Sequence, residues 1–176
     1  MSDQQADRSS DNPFDDLFAA NERYRSTGTH DATVEGRAGR GLAVLTCMDT
    51  RLDPLAVLGL AVGDAKIVCN AGARLTEDAL RSLVLATNLL GVTRIALIGH
   101  TRCAMFSSSE AEMRELIRAR TGQDANGWTF LAGTDQVATI RDDLAAIRNC
   151  PLIPAGTVVG GFRFDVDTGE LTPVDG

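Results

Sequence analysis

Histidine and cysteine are scarce in this 176-residue chain, which has two histidines and four cysteines. Any transition-metal site must therefore draw on very few ligands, because such metals favour thiolate sulfur and imidazole nitrogen. Basic residues are also in the minority: 17 lysines and arginines face 24 aspartates and glutamates, for a formal net charge of -7. This deficit argues against a general nucleic-acid binder and against a polybasic membrane-surface protein, since both need an excess of positive charge.

Long apolar runs are missing as well. No segment of the sequence approaches the ~20 apolar residues that a membrane-spanning helix needs. Residues 1–12 are polar and acidic, whereas a secretory signal would be basic and then apolar. We therefore expect a cytoplasmic protein, in which thiols stay reduced and disulfides are rare. We also expect residues 1–12 to be disordered, because they contain too few apolar side chains to pack.

From residue 42 onwards, short apolar runs alternate with segments of helical periodicity. The apolar runs lack the polar alternation of a half-exposed strand, so we predict an α/β fold with about four parallel strands flanked by helices. An Asp-Thr-Gly turn at 167–169 predicts a final hairpin with one antiparallel edge strand. The length predicts one domain over residues 13–176. The predicted strands are 42–46, 65–68, 94–98, 157–166 and 170–174, and the predicted helices are 13–21, 54–59, 76–90, 109–120 and 136–148.

Two of the predicted strands are followed by residues that bind metals or transfer protons. Residues 47–51 read Cys-Met-Asp-Thr-Arg after the first strand, and residues 100–103 read His-Thr-Arg-Cys after the third. In open α/β sheets, functional groups gather beyond the carboxyl ends of the strands. If these two strands are neighbours, Cys47, His100 and Cys103 converge there. Two thiolates and an imidazole, with a fourth position open, are typical of a catalytic zinc site.

The two motifs resemble the signature of the β-class carbonic anhydrases, Cys-x-Asp-x-Arg followed later in the chain by His-x-x-Cys. The resemblance covers about residues 42–174, including Asn-Ala-Gly-Ala at 70–73 and Asp-Thr-Gly-Glu-Leu at 167–171. It is strongest to the short bacterial and archaeal branch. That branch usually reads His-Thr-Asp-Cys-Gly at the second motif, where this chain has Arg102 and Ala104.

The resemblance implies one Zn²⁺ per chain and the reversible hydration of CO2 to bicarbonate by zinc-bound hydroxide. Cys47, His100 and Cys103 would be the ligands. Asp49 and Arg51 would be the catalytic pair: Asp49 accepts the hydrogen bond of the hydroxide, and Arg51 keeps Asp49 ionised through a bidentate ion pair.

The substrate side of the site is implied in the same way. We expect Ala104 and Gly72 to line it, with the backbone N–H of Ala104 helping to hold the substrate oxygens. The family further implies a homodimer or an assembly of dimers, with the helix at 13–21 packed on the partner subunit. The apolar face of that helix is compatible with this arrangement, because it must be buried against something.

Other interpretations stay open from the sequence alone. A related branch hydrolyses carbonyl sulfide or carbon disulfide with the same zinc site. A non-catalytic zinc protein would close the fourth position with Cys69 or Asp49. A thiol enzyme with Cys47 as its nucleophile is disfavoured, because no partner base lies nearby in sequence. For Cys69 and Cys150 a packed thiol is the simpler interpretation, and His30 is expected to be a solvated loop residue.

Overall fold

The structure is a computed structural model that describes residues 12–175. The expected disorder of residues 1–12 therefore falls, apart from Asn12, outside the described residues. By their internal contacts the residues form two units, one up to Val34 and the other from Glu35 onwards. Each unit is described by itself, and the single domain over residues 13–176 stays a prediction.

The first unit contains helix α1, Asp15–Ser26. Two aspartates in the first turn and two arginines in the last turn complement the helix dipole. The helix runs past the predicted end at residue 21, and an ion pair of 2.7 Å between Arg25 and Glu22 supports the added turn. The large apolar side chains in and next to α1 are exposed: Phe14, Leu17, Phe18 and Tyr24.

The second unit holds the remaining helices and strands, all within a few residues of the predicted bounds. A five-stranded sheet is interleaved with four helices and two short 3-10 turns. The strands are β1 Leu42–Cys47, β2 Ala65–Asn70, β3 Arg94–His100, β4 Val158–Phe164 and β5 Leu171–Val174. The helices are α2 Pro54–Val57, α3 Glu77–Leu89, α4 Glu110–Thr121 and α5 Gln136–Asn149, and the 3-10 turns are Ala71–Ala73 and Ala104–Phe106.

The sheet has the order β2-β1-β3-β4-β5. The first four strands are parallel, and β5 runs antiparallel to β4 at one edge. The predicted fold class is therefore confirmed. Strand β3 extends two residues beyond its predicted end, because Gly99 and His100 continue the ladder with Arg163 and Phe164 of β4. This extension carries His100 to the carboxyl edge of the sheet.

Both faces of the sheet are covered by apolar packing. Helices α3 and α5 cover one face around Leu45, Leu83 and Leu144. The other face packs Val44 and its neighbours against residues in and around α2. Helix α5 lies so close to β4 that a Cβ at Gly161 would be 2.5 Å from Leu144 Cδ1, which explains a glycine inside this strand.

The helix ends follow the local sequence. Ser109 and Glu112 form a capping box at the start of α4. Asp53 accepts hydrogen bonds from two backbone N–H groups at the start of α2, as expected of an N-cap. Among the helices within residues 12–175, none has the length and apolar character needed to cross a bilayer.

Candidate metal centre

Three buried side chains meet at the carboxyl edge of the sheet. The ligand atoms of Cys47, His100 and Cys103 all lie within 4.8 Å of one another, and the two sulfur atoms are 4.0 Å apart. Each residue is at most 6% exposed. The structure thus brings together the three residues that were predicted to converge because they follow the ends of two strands.

The topology explains why these residues converge. Cys47 is the last residue of β1 and His100 the last of β3, and these strands are hydrogen-bonded neighbours. Cys103 returns to the same place through a tight turn in which Arg102 has a left-handed backbone conformation, with φ of 54°. A positive φ in a non-glycine residue is costly and marks a turn that its surroundings hold in place.

The ring of His100 is oriented for ligation. Its Nδ1 lies 2.8 Å from the backbone oxygen of Thr101, so this nitrogen carries the proton and donates. Its Nε2 is buried and has no hydrogen-bond partner among residues 12–175. An imidazole fixed in this way presents the Nε2 lone pair to the two thiols, as a metal-binding histidine does.

The two thiols do not titrate alike. Interaction with the Cys103 thiol, followed by the nearby His100 ring and the Gly72 N–H, lowers the pKa of Cys47 to about 4. The same contact with Cys47, together with burial, raises the pKa of Cys103. Burial by itself lowers the pKa of His100, but the proximity and charge of Cys47 raise it above its ordinary value. A thiolate at Cys47 therefore forms readily within this cluster.

Asp49 and Arg51 form a bidentate ion pair beside the cluster. Arg51 Nε and Nη2 each lie 2.8 Å from a different carboxylate oxygen of Asp49. The Arg51 backbone N–H also donates to Asp49, and Arg51 Nη2 donates to the Arg102 carbonyl at 3.2 Å. These bonds, with the Arg51 side chain first, hold the pKa of Asp49 well below its usual range. Asp49 Oδ2 is 3.9 Å from Nε2 of His100, so an ionised carboxylate faces the cluster.

The two departures from the usual motif are accommodated by the local geometry. The guanidinium of Arg102 pairs with Asp167 at 2.8 Å, so its charge is compensated away from the thiols. Ala104 begins a 3-10 turn and is not among the residues with positive φ, so its backbone does not require glycine.

Gly72 contacts the cluster through its backbone. Its N–H lies 3.4 Å from the sulfur of Cys47, and its φ of 81° favours glycine. A Cβ at this position would lie 3.2 Å from the Cβ of Met105. The roles of Gly72 and Ala104 on the substrate side stay predictions.

An ion pair that the sequence does not predict anchors the 3-10 turn at Ala71–Ala73. Arg74 Nε lies 2.9 Å from Asp143 in α5, and Asp143 also accepts the backbone N–H of Leu75. Asn70 bonds both backbone groups of Arg74, and Arg74 Nη1 donates to the carbonyl of Leu131. No motif marks these residues in the sequence, because they are 69 positions apart and of common types.

The remaining thiols and the second histidine lie elsewhere. Cys69 is exposed and is not part of the ligand cluster, so the packed thiol expected there is wrong. Cys150 is partly buried and packs against the α3–α5 core, as expected. His30 lies in the first unit, is exposed, and contacts the ring of Tyr24. All four cysteines are free thiols.

Comparison with known proteins agrees with this fold and site. A family model described as carbonic anhydrase matches residues 42–126. β-Carbonic anhydrase 1 of Mycobacterium tuberculosis is 34% identical over 160 residues, covering 91% of this chain and 96% of that protein. A carbon disulfide hydrolase of Acidithiobacillus thiooxidans is 33% identical over 161 residues, covering 78% and 74%. The crystal structure of a carbonic anhydrase from Streptococcus mutans superimposes with a TM-score of 0.86 at 38% identity, covering 92% of this chain and 97% of that one.

A five-stranded, mostly parallel sheet with a Cys-His-Cys cluster at its carboxyl edge defines an α/β protein able to bind a metal ion there. With the similarity over nearly its full length, the chain belongs to the β-carbonic anhydrase family. The resemblance read from the two motifs is thereby confirmed.

Proposed function

We propose that this chain binds one Zn²⁺ and catalyses the reversible hydration of CO2 to bicarbonate. The observation that carries the proposal is the buried Cys-His-Cys cluster with an ionised Asp49, paired to Arg51, facing it. Family membership supports the same reaction, because curated relatives at 34% identity are named β-carbonic anhydrases.

The residues fit a zinc ion. Two thiols and one imidazole nitrogen lie close enough to share one ion, and the buried Nε2 of His100 lacks any other partner in the described chain. Cys47, His100 and Cys103 would hold the metal. When bound, Zn²⁺ supplies Lewis acidity, which lowers the pKa of a coordinated water towards neutral pH.

The chain's own residues orient the reactants. Asp49 is ionised and therefore acceptor-only, so it takes a hydrogen bond from the attacking oxygen and directs the remaining lone pairs towards the carbon of CO2. Arg51 keeps Asp49 ionised and fixes its plane, a role for which the planar guanidinium fork is better suited than a lysine. The backbone N–H of Ala104 and the turn at Gly72 would bound the substrate side.

A second candidate reaction is hydrolysis of carbon disulfide or carbonyl sulfide at the same site. It is supported by the relatives at 32–33% identity that are named carbon disulfide hydrolases. The chemistry is analogous, because each substrate offers an electrophilic carbon between two heteroatoms.

Parallel assays on the zinc-loaded protein separate these reactions. Stopped-flow CO2 hydration with a pH indicator is compared with sulfide release from carbonyl sulfide and from carbon disulfide. We expect fast CO2 hydration and little sulfide release. Fast sulfide release with slow CO2 hydration would favour the second candidate, and stoichiometric zinc with neither activity would indicate a non-catalytic homologue.

We further propose that the protein is a cytoplasmic homodimer or an assembly of dimers. The exposed apolar side chains of Phe14, just before α1, and of Leu17 and Phe18 in α1 support self-association, because such a face is normally covered.

A further inference from the structure

The 3-10 turn at Ala71–Ala73 contacts the metal cluster with both backbone and side-chain atoms. The Gly72 N–H lies 3.4 Å from the sulfur of Cys47. The side chain of Ala73 is 1% exposed and packs against both cysteines of the cluster. The turn comes this close because Asn70, the last residue of β2, pairs in the sheet with Cys47 of β1. The conformation of the turn therefore decides whether the N–H reaches the sulfur.

This conformation is not one that the backbone adopts easily. Gly72 and Ala73 follow one another with φ of 81° and 58°, and only the first of them is a glycine. A positive φ costs free energy in an alanine, so the turn persists only if bonds from its surroundings hold it.

Arg74 makes the bonds that hold the turn. Its backbone N–H donates to Oδ1 of Asn70 at 2.8 Å, and its carbonyl accepts from Nδ2 of the same side chain at 2.7 Å. The amide of Asn70 thus joins the residues on either side of the turn. The guanidinium of Arg74 donates to the carbonyl of Leu131 at 3.0 Å and to Asp143 at 2.9 Å.

The ion pair between Arg74 and Asp143 is a firm attachment, because both side chains are largely buried. They are 18% and 10% exposed, and Asp143 belongs to α5, whose apolar side packs on the sheet. Removal of one partner from such a pair leaves a buried charge uncompensated. Within residues 12–175, the polar partners of these two side chains include none of the three metal ligands. Any effect of the pair on the cluster must therefore pass through the turn.

A hydrogen bond to a ligating sulfur affects how that sulfur binds a metal ion. The N–H dipole stabilises the thiolate form and fixes the direction of the sulfur lone pairs. Contacts that orient metal ligands in this way matter energetically, since loss of such a contact typically lowers metal affinity about 10–100-fold.

We propose that Arg74 and Asp143 are positioning residues of the metal centre, which keep the Gly72 N–H on the sulfur of Cys47 and thereby raise the affinity of the cluster for its metal. Neither side chain touches the metal ligands, so neither is a catalytic residue. The inference about affinity rests on the proposed zinc site. The position of the Gly72 N–H can be measured without any metal.

The first measurement uses the metal-free, ¹⁵N-labelled full chain. The ¹H chemical shift of the Gly72 amide reports its hydrogen bond to sulfur. Asp143→Asn removes the counter-ion of Arg74, and Asn70→Ala removes both bonds to the Arg74 backbone, so each variant should move this signal upfield. Leu144→Ala is the matched control: it opens a cavity at the next position of α5, which is fully buried, and should leave the signal in place.

The second measurement uses the metal-loaded protein. Competition with a chelator gives the zinc affinity, which should fall roughly tenfold or more in Asp143→Asn and in Asn70→Ala. The ¹¹³Cd resonance of the cadmium-loaded protein, which is sensitive to bonding at the sulfur ligands, should move in the same two variants. Leu144→Ala should keep the parent values of both quantities.

An unmoved Gly72 signal in either variant, or a zinc affinity equal to that of the parent, would overturn the proposal. A loss of affinity in Leu144→Ala as large as in Asp143→Asn would do so too, because general destabilisation would then be the cause. If Asp143→Asn does not fold, Asn70→Ala carries the test.

Failure of this proposal is distinguishable from failure of the proposed function. A parent protein that binds no zinc, with the Gly72 signal displaced in both variants, would refute the proposed zinc site and the effect on affinity, and would support the positioning of the N–H. Normal zinc binding and CO2 hydration in the parent, with no displacement of that signal in the variants, would refute the positioning role alone.

Discussion

The buried Nε2 of His100 is the atom on which the candidate metal centre depends most. Its partner nitrogen is committed to the Thr101 carbonyl, so the free lone pair faces the sulfurs of Cys47 and Cys103. A buried nitrogen without a hydrogen-bond partner normally destabilises a protein. A metal ion bound by this nitrogen and by the two thiolates would offset that loss of stability. Metal binding is therefore expected to stabilise the fold as well as to enable chemistry.

Loss of one thiolate should remove the metal. Cys47→Ser replaces a sulfur ligand by a hydroxyl that stays protonated and binds zinc poorly, so we expect the purified variant to have lost most of its zinc. Cys69→Ser is the matched control, because Cys69 is exposed and outside the cluster. Elemental analysis measures the zinc content of both variants. Normal zinc content in Cys47→Ser would remove Cys47 from the ligand set.

The Asp49 carboxylate should matter for turnover and not for metal binding. Asp49→Asn removes the negative charge and the bidentate pair with Arg51, so we expect full zinc content and a fall in kcat for CO2 hydration of about 100-fold or more. Asp53→Asn makes the same chemical change four residues away, where asparagine caps a helix as well as aspartate does. It should keep normal activity. A fully active Asp49→Asn protein would contradict the catalytic assignment.

The sequence identifies the ligands better than the residues that support them. Cys47, His100 and Cys103 could be predicted because strand ends converge and few other thiols or imidazoles exist in the chain. The Gly72 N–H on Cys47 and the pairing of Arg74 with Asp143 could not be predicted. Each depends on a contact between distant segments, and none of these residue types indicates a site by itself.

At the scale of elements, the 3-10 turn at Ala71–Ala73 connects the sheet edge to the cluster. The Arg74–Asp143 ion pair fixes this turn to α5, and the Leu131 carbonyl joins it from a third segment. Ala73 and Leu131 both have positive φ, a strained conformation for residues other than glycine. The bonds to Arg74 keep the turn and the 130–132 loop in this conformation.

Breaking this ion pair should destabilise the protein. The two side chains are 18% and 10% exposed, and Asp143→Asn leaves the Arg74 charge largely buried without its counter-ion. We expect a loss of about 2–3 kcal/mol in the free energy of unfolding, measured by urea denaturation. Glu115→Gln is the control, because the Glu115–Arg118 pair is more than half exposed and such pairs contribute roughly 0–1 kcal/mol. Equal losses in the two variants would contradict the anchoring role.

The neighbouring loop should respond to pH through Glu110. The backbone N–H of Phe130 first, then that of Ala132 and the charge of Arg114, lower the pKa of Glu110 in the folded chain. A carboxylate with a lowered folded-state pKa stabilises the fold above its unfolded pKa of about 4.3, and this stabilisation is lost as pH falls through the folded value.

Glu110→Gln should therefore be less stable than the parent at neutral pH, and the difference should shrink as the pH falls to about 3. Urea denaturation across this range measures the difference. Glu170→Gln, which changes an exposed carboxylate near the β4–β5 turn, should show no such pH-dependent gap. A gap for Glu110→Gln that stays constant with pH would show that the ionised carboxylate is not what stabilises the loop.

For the whole molecule, periodicity was enough to predict the fold class but not the order of the strands. Apolar runs with no polar alternation indicate a sheet buried on both faces, and the observed sheet is of that kind. The order β2-β1-β3-β4 depends on which strands pair, and several orders bury the same side chains equally well.

Helix α1 and the residue before it expose large apolar side chains, which a second copy of the chain could cover. Its exposed phenylalanines and its acidic start are compatible with packing on a second copy of the chain, and we expect sedimentation at micromolar concentration to give a dimer or larger species. Phe18→Ala should shift dissociation to higher protein concentration, since burial of a large aromatic side chain contributes roughly 1.5–3 kcal/mol. Arg23→Ala lies about 140° away around the helix and should leave assembly unchanged. A single 18.7 kDa species for the parent protein would refute self-association, and equal effects of the two variants would place the interface elsewhere.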